Sequence, residues 1–125
     1  MSALPGRTVL VADDNPDQRA LYVDILSHAG FAVIEARDGA EAITRAREER
    51  PALILMDVTM PGTSGWNAVR AVRDQVETRD IPVIVVTGLA GAGDRDASFA
   101  AGSDAYLSKP VSPRRLLEEV RRFLG

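Results

Sequence analysis

Five short apolar runs separated by longer amphipathic stretches constrain this chain more than any other feature. The runs are Val9-Leu10-Val11-Ala12, Ala32-Val33-Ile34, Leu53-Ile54-Leu55-Met56, Val83-Ile84-Val85-Val86 and Ala105-Tyr106-Leu107. Each is apolar at consecutive positions instead of alternate ones, so each reads as a strand covered on both faces, the habit of a parallel sheet. The stretches between them carry helix starts. Asn15-Pro16-Asp17-Gln18 offers an N-cap, a proline at the first helical position and a glutamine at the third; Asp38-Gly39-Ala40-Glu41 is a capping-box pattern; Ser64 and Ser112-Pro113 open two more. In the last helix Leu116, Leu117, Val120, Phe123 and Leu124 recur at helical spacing. Arg114, Arg115, Glu118, Glu119, Arg121 and Arg122 lie opposite, where pairs such as Glu118 with Arg122 predict a self-neutralising solvated face and not a phosphate-binding patch. The fourth helix, between Gly93 and Ala101, is the weakest, because Gly91 and Gly93 each cost its start roughly 1 kcal/mol relative to Ala.

Strand and helix alternate five times within 125 residues, which is the length of one domain. The domain spans 7–125, with 1–6 as an N-terminal extension. Right-handed crossovers and helices on both faces predict an α/β, doubly wound (βα)5 fold: a five-stranded parallel sheet in the order 2-1-3-4-5, flavodoxin-like. A 46% hydrophobic, 26% charged composition excludes disorder, and a net charge of -3 opposes a nucleic-acid or anionic-membrane surface. With no secretory pattern at Met1 to Arg7 and no apolar run near the ~18 residues of a membrane span, a soluble cytoplasmic protein is expected. The absence of Cys removes thiolate catalysis and Cys-based zinc sites. The single His28 lies in Ser-His-Ala-Gly at a helix end, where a cation near the negative pole of the dipole is a plainer role than catalysis.

Open parallel sheets bind ligands beyond the carboxyl ends of their strands. Asp13 and Asp14 follow the first run, Asp57 the third, Thr87 the fourth, and Ser108 and Lys109 the fifth; the second ends without a reactive group. Lys109 is the only lysine beside 14 arginines. Taken singly, Asp13 or Asp14 could cap a helix, Asp57 could begin a turn, Thr87 is an ordinary strand residue and Lys109 an ordinary solvated one. Together on adjacent strands they form a site. Crowded carboxylates repel unless a cation joins them, and an all-oxygen cluster without His or Cys selects a hard divalent ion such as Mg2+. Aspartate is also a nucleophile toward phosphorus, and a metal, a lysine point charge and a hydroxyl donor are what a transferring phosphoryl group requires.

Val11-Ala12-Asp13-Asp14-Asn15, Leu55-Met56-Asp57-Val58-Thr59-Met60-Pro61-Gly62, Val85-Val86-Thr87-Gly88 and Tyr106-Leu107-Ser108-Lys109-Pro110 resemble the receiver domain of two-component response regulators, from about Arg7 to Leu124 and at the size of the stand-alone chemotaxis regulators. The resemblance implies that Asp57 accepts a phosphoryl group from a sensor histidine kinase or a histidine phosphotransfer protein. It implies that Asp13, Asp14, Asp57 and the backbone carbonyl of Thr59 organise Mg2+. Lys109 would bind a phosphoryl oxygen or, before phosphorylation, Asp57; Thr87 and Tyr106 would form the conformational switch; the Lys109–Pro110 peptide would be cis. Such a chain is a phosphoacceptor switch and not an enzyme in the ordinary sense. It would act on an effector through the fourth helix, fifth strand and fifth helix, with phosphorylation-dependent dimerisation as an option. Because the sequence stops at Gly125, no output domain is expected within it. Thr59 and Leu89 occupy positions where receivers vary, and Leu89 can neither hold nor orient an attacking water, which predicts a long-lived phosphorylated form.

Other readings compete with this one. An aspartate-nucleophile, Mg-dependent phosphatase would need an acid two residues after Asp57, where Thr59 stands. A nucleotide or flavin module is prompted by Gly88-Leu89-Ala90-Gly91-Ala92-Gly93, but that spacing is G-x-x-G-x-G after the fourth strand and not a dinucleotide fingerprint after the first. A scaffold receiver acting without phosphorylation would have no use for an intact acidic site.

Overall fold

The computed structural model describes residues 7–57, 65–88 and 92–125. Ser64, Thr59 and Leu89 lie outside the described residues. Among the described residues five strands alternate with five helices: β1 (Thr8–Ala12), α1 (Pro16–His28), β2 (Ala32–Ala36), α2 (Gly39–Glu49), β3 (Leu53–Asp57), α3 (Gly65–Asp74), β4 (Val83–Thr87), α4 (Ala92–Ala101), β5 (Ala105–Ser108) and α5 (Pro113–Leu124). The strands pair in parallel in the order β2-β1-β3-β4-β5, as expected.

The consecutive apolar runs are explained by two separate cores, one on each face of the sheet. Successive strand residues point to opposite faces. Val9, Val11, Leu53, Leu55, Ile84 and Val86 meet Tyr22, Leu26, Leu116 and Val120 of α1 and α5. Leu10, Ala12, Ile54, Met56, Val83 and Val85 meet Ala42, Ala46, Val69, Val72 and Ala101 of α2, α3 and α4. Each buried Leu, Ile or Val contributes roughly 1.5–3 kcal/mol relative to exposure, so a polar residue at either parity would be penalised.

The helix ends follow their local chemistry. Asn15 Oδ1 accepts from the N–H groups of Asp17 and Gln18, and Asp38 Oδ1 from that of Glu41. Glu41 Oε1 reaches back one residue farther than a capping box requires and accepts from the Arg37 N–H at 2.7 Å. Gly102, at φ 113°, closes α4: its N–H donates to Phe99 O and that of Ser103 to Ser98 O, a Schellman arrangement. A Cβ there would lie 2.7 Å from Arg73 Cγ, so side-chain volume is excluded as well. Arg73 from α3 donates to the carbonyls of Gly102, Arg79 and Ile81 and pairs with Asp104, tying the edges of α3, α4 and β4 together.

One expectation for α5 is corrected. Glu119 is buried and not part of a solvated face, and it accepts from Arg115 at 2.8 Å and Arg122 at 2.6 Å. Glu118 instead pairs with Arg114 at 3.2 Å. A desolvated carboxylate needs compensating charge more than an exposed one, so Glu119 takes the arginine that the spacing alone assigned to Glu118. His28 ends α1, its Nδ1 donating to the Asp24 carbonyl at 2.8 Å, which is the helix-terminal role.

Candidate functional site

Register builds the site. Ala12 pairs with Met56, so the residues that follow them, Asp13 and Asp57, emerge side by side. Both continue the parity of Val9, Val11, Leu53 and Leu55, so both turn toward the α1 and α5 side of the sheet. Asp13 and Asp57 are buried, Asp14 is exposed, and one carboxylate oxygen from each lies within 4.8 Å of the others. β5 brings Lys109 to the same rim, where the N–H of Lys109 donates to the Thr87 carbonyl at 2.8 Å. Lys109 Nζ lies 2.6 Å from Asp57 Oδ2. The Lys109–Pro110 peptide is cis.

Asp13 is the electrostatic weak point of this rim. Burial, and then the charge of Asp57, push its carboxyl up to about 6, against the lowering effect of the Asn15 N–H on Oδ1 at 2.9 Å. Among the described residues its buried Oδ2 has no hydrogen-bond partner. A buried carboxylate with an orphaned oxygen, grouped among the described residues with two other carboxylates and with no His or Cys in the group, fits a hard divalent cation such as Mg2+.

Thr87 and Tyr106 lie on the other face of the sheet. Val85 pairs with Tyr106, and Thr87, two residues on, shares the parity of Val85. Tyr106 is half-buried against the α2, α3 and α4 core. Thr87, buried at the end of β4, thus shares a sheet face with Tyr106 of the neighbouring strand.

Asp13, Asp14, Asp57 and Lys109 thus converge, and Thr87 and Tyr106 adjoin one another, while Thr59 lies outside the described residues. Three residues that the motifs do not mark also belong here. Tyr22 of α1 is buried on the acid side, its hydroxyl pushed up to about 12 by burial and by the charges of Asp13 and Asp57. Arg19 donates to the Asp13 carbonyl at 2.8 Å and pairs with Glu35 at 3.0 Å, so the second strand does contribute to the rim. Gln18 Oε1 lies 2.6 Å from Lys109 Nζ. The available signal was periodicity, since Gln18 and Tyr22 are four apart and share a face of α1.

The family model for the response regulator receiver domain matches residues 9–121. The polar-differentiation response regulator DivK of Brucella anthropi is 40% identical over 119 residues, covering 95% of this chain and 97% of that protein. Among solved structures, the chemotaxis protein CheY4 of Vibrio cholerae matches with TM-score 0.89 and 32% identity, covering 99% of this chain and all of the other. The receiver domain of the sensor histidine kinase PA1611 from Pseudomonas aeruginosa PAO1, with a magnesium ion coordinated in its active-site cleft, matches with TM-score 0.88 and 33% identity, covering 96% and 98%.

Proposed function

Because this chain belongs to the response regulator receiver domain family, we propose that Asp57 accepts a phosphoryl group from the phosphohistidine of a sensor histidine kinase or histidine phosphotransfer protein in the cytoplasm. The observation that carries the reading is the setting of Asp57: a carboxylate only 3% exposed at the end of the central strand, with an ammonium 2.6 Å away and two further carboxylates beside it.

A carboxylate oxygen of Asp57 attacks phosphorus. The O–P bond forms as the P–N bond breaks, the bonding pair stays on the ring nitrogen, and the imidazole, protonated on its other nitrogen, departs neutral. Asp13, Asp14, Asp57 and the Thr59 carbonyl would hold Mg2+, which when bound would offset the crowded carboxylates and the charge on the phosphoryl oxygens. Lys109 transfers its contact from Asp57 Oδ2 to a phosphoryl oxygen. Thr87 turns its hydroxyl toward that group, and Tyr106 moves into the space behind it. The altered surface then binds an effector protein or a second copy of the chain. The protein is a switch whose only chemistry is on itself. Among the described residues no helix is long and apolar enough to cross a membrane.

Mass spectrometry after incubation with Mg2+ and acetyl phosphate tests this. One phosphoryl group should be gained by the wild-type chain and none by Asp57→Asn; no gain by the wild type, or an undiminished gain by the variant, refutes the assignment.

A further inference from the structure

Gln18 is the third residue of α1 after its N-cap, the position from which a glutamine commonly reaches back to the N-cap N–H. In this chain that N–H is already taken, because Asn15 N donates to Asp13 Oδ1 at 2.9 Å. The Gln18 side chain is thereby released from capping and crosses to the rim, where its Oε1 accepts from Lys109 Nζ at 2.6 Å. The two residues are 91 positions apart in sequence. Lys109 Nζ is thus held between two acceptors, Asp57 Oδ2 and Gln18 Oε1. An ammonium has three donors, so one remains for an incoming phosphoryl oxygen.

Without a second anchor the lysine would have somewhere else to go. A cavity of about 360 Å³, lined by Gln18, Leu21, Tyr22, Lys109, Pro110 and Val111, opens beside its stem. A flexible four-carbon chain next to that space would sample conformers in which the ammonium leaves Asp57. A carboxamide is also the fitting anchor chemically. It accepts a charge-assisted hydrogen bond without neutralising the ammonium, and it adds no negative charge where a phosphoryl group must arrive.

Resting on the receiver reading above, we infer that Gln18 is a positioning residue for phosphoryl transfer: its carboxamide oxygen holds the Lys109 ammonium against Asp57, so that the cation is in place before the donor arrives. Among the described residues the Gln18 side chain hydrogen-bonds Lys109 alone, so it acts through Lys109.

Gln18→Met, which keeps length and helix propensity but removes the acceptor, is the test. Phosphorylation of Asp57 by acetyl phosphate at saturating Mg2+ should slow roughly tenfold, the size of one charge-assisted hydrogen bond, with the urea midpoint unchanged. In a Lys109→Ala background the same substitution should cost less than twofold, since the residue through which it acts is gone. Slowing of less than twofold in the single variant, or an equal loss in both backgrounds, overturns the assignment. A second measurement needs no phosphorylation: side-chain NMR relaxation of Lys109 should report an ordered ammonium in the wild type and a mobile one in Gln18→Met, and equal order in both overturns the proposal. If the wild type is not phosphorylated while the lysine still loses order, the receiver reading fails and the Gln18 contact stands.

Discussion

The buried carboxylate of Asp13 should make the metal-free protein lose stability as pH rises, and Asp13→Asn should abolish that loss. Burial and the neighbouring charge of Asp57 carry its carboxyl from 3.8 to about 6 in the folded chain. Below 3.8 both folded and unfolded chains hold the proton. Between 3.8 and 6 only the folded chain holds it, so raising the pH through this window removes stability, and above 6 the loss is complete. The shift corresponds to roughly 3 kcal/mol, a large part of a domain's total stability. Asparagine keeps the Oδ1 that accepts from the Asn15 N–H and puts an uncharged amide in place of the orphaned Oδ2. Urea titrations of both proteins in EDTA, from pH 4 to pH 7.5, give the difference curve, in which groups common to both cancel. The variant should gain about 2.5 kcal/mol on the wild type across that range, centred near pH 5. Mg2+ should return much of this to the wild type and less to the variant, which keeps Asp14 and Asp57 but has one carboxylate fewer, since a ligand stabilises only the state that binds it. Parallel curves across the range, or a variant that loses ground with rising pH, would refute the reasoning.

Three further outcomes are expected. Lys109→Arg should slow phosphorylation of Asp57 at least tenfold in the acetyl phosphate assay, because a planar guanidinium cannot take the place of an ammonium 2.6 Å from both Asp57 and Gln18; unaltered rates would show that any cation suffices. Arg73→Met should lower stability by about 2–4 kcal/mol in urea while leaving phosphorylation intact, since the carbonyls of Gly102, Arg79 and Ile81 and the Asp104 carboxylate lose their donor together. Leu89→Glu should shorten the lifetime of the aspartyl phosphate, followed by loss of the protein-bound phosphoryl group; an unchanged lifetime refutes the expectation that Leu89 prolongs the phosphorylated form.

Much of the fold was legible in the residues themselves. Consecutive apolar positions in five runs require covering on both faces, and the structure meets that requirement with two cores of opposite strand parity. Asn15, Asp38 and Ser112 cap the helices that their sequence positions announce. The acidic residues and Lys109 could be assigned to one rim because, in a parallel sheet, every strand ends at the same edge. The pairing in α5 was not legible: Glu118 and Glu119 are equivalent in spacing to nearby arginines, and only burial of Glu119 breaks the tie.

The same division runs through the site. Sequence alone determined which groups reach the rim, because strand order and direction follow from local patterns that each residue carries with it. Tertiary structure alone decided how those groups interact. It buried Asp13 and orphaned one of its oxygens, raised the Tyr22 hydroxyl through burial and the charges of Asp13 and Asp57, and sent Gln18 away from its own helix end to a lysine 91 residues distant. Desolvation and long-range hydrogen bonds depend on what the rest of the chain places around a group, and no window of sequence contains that information.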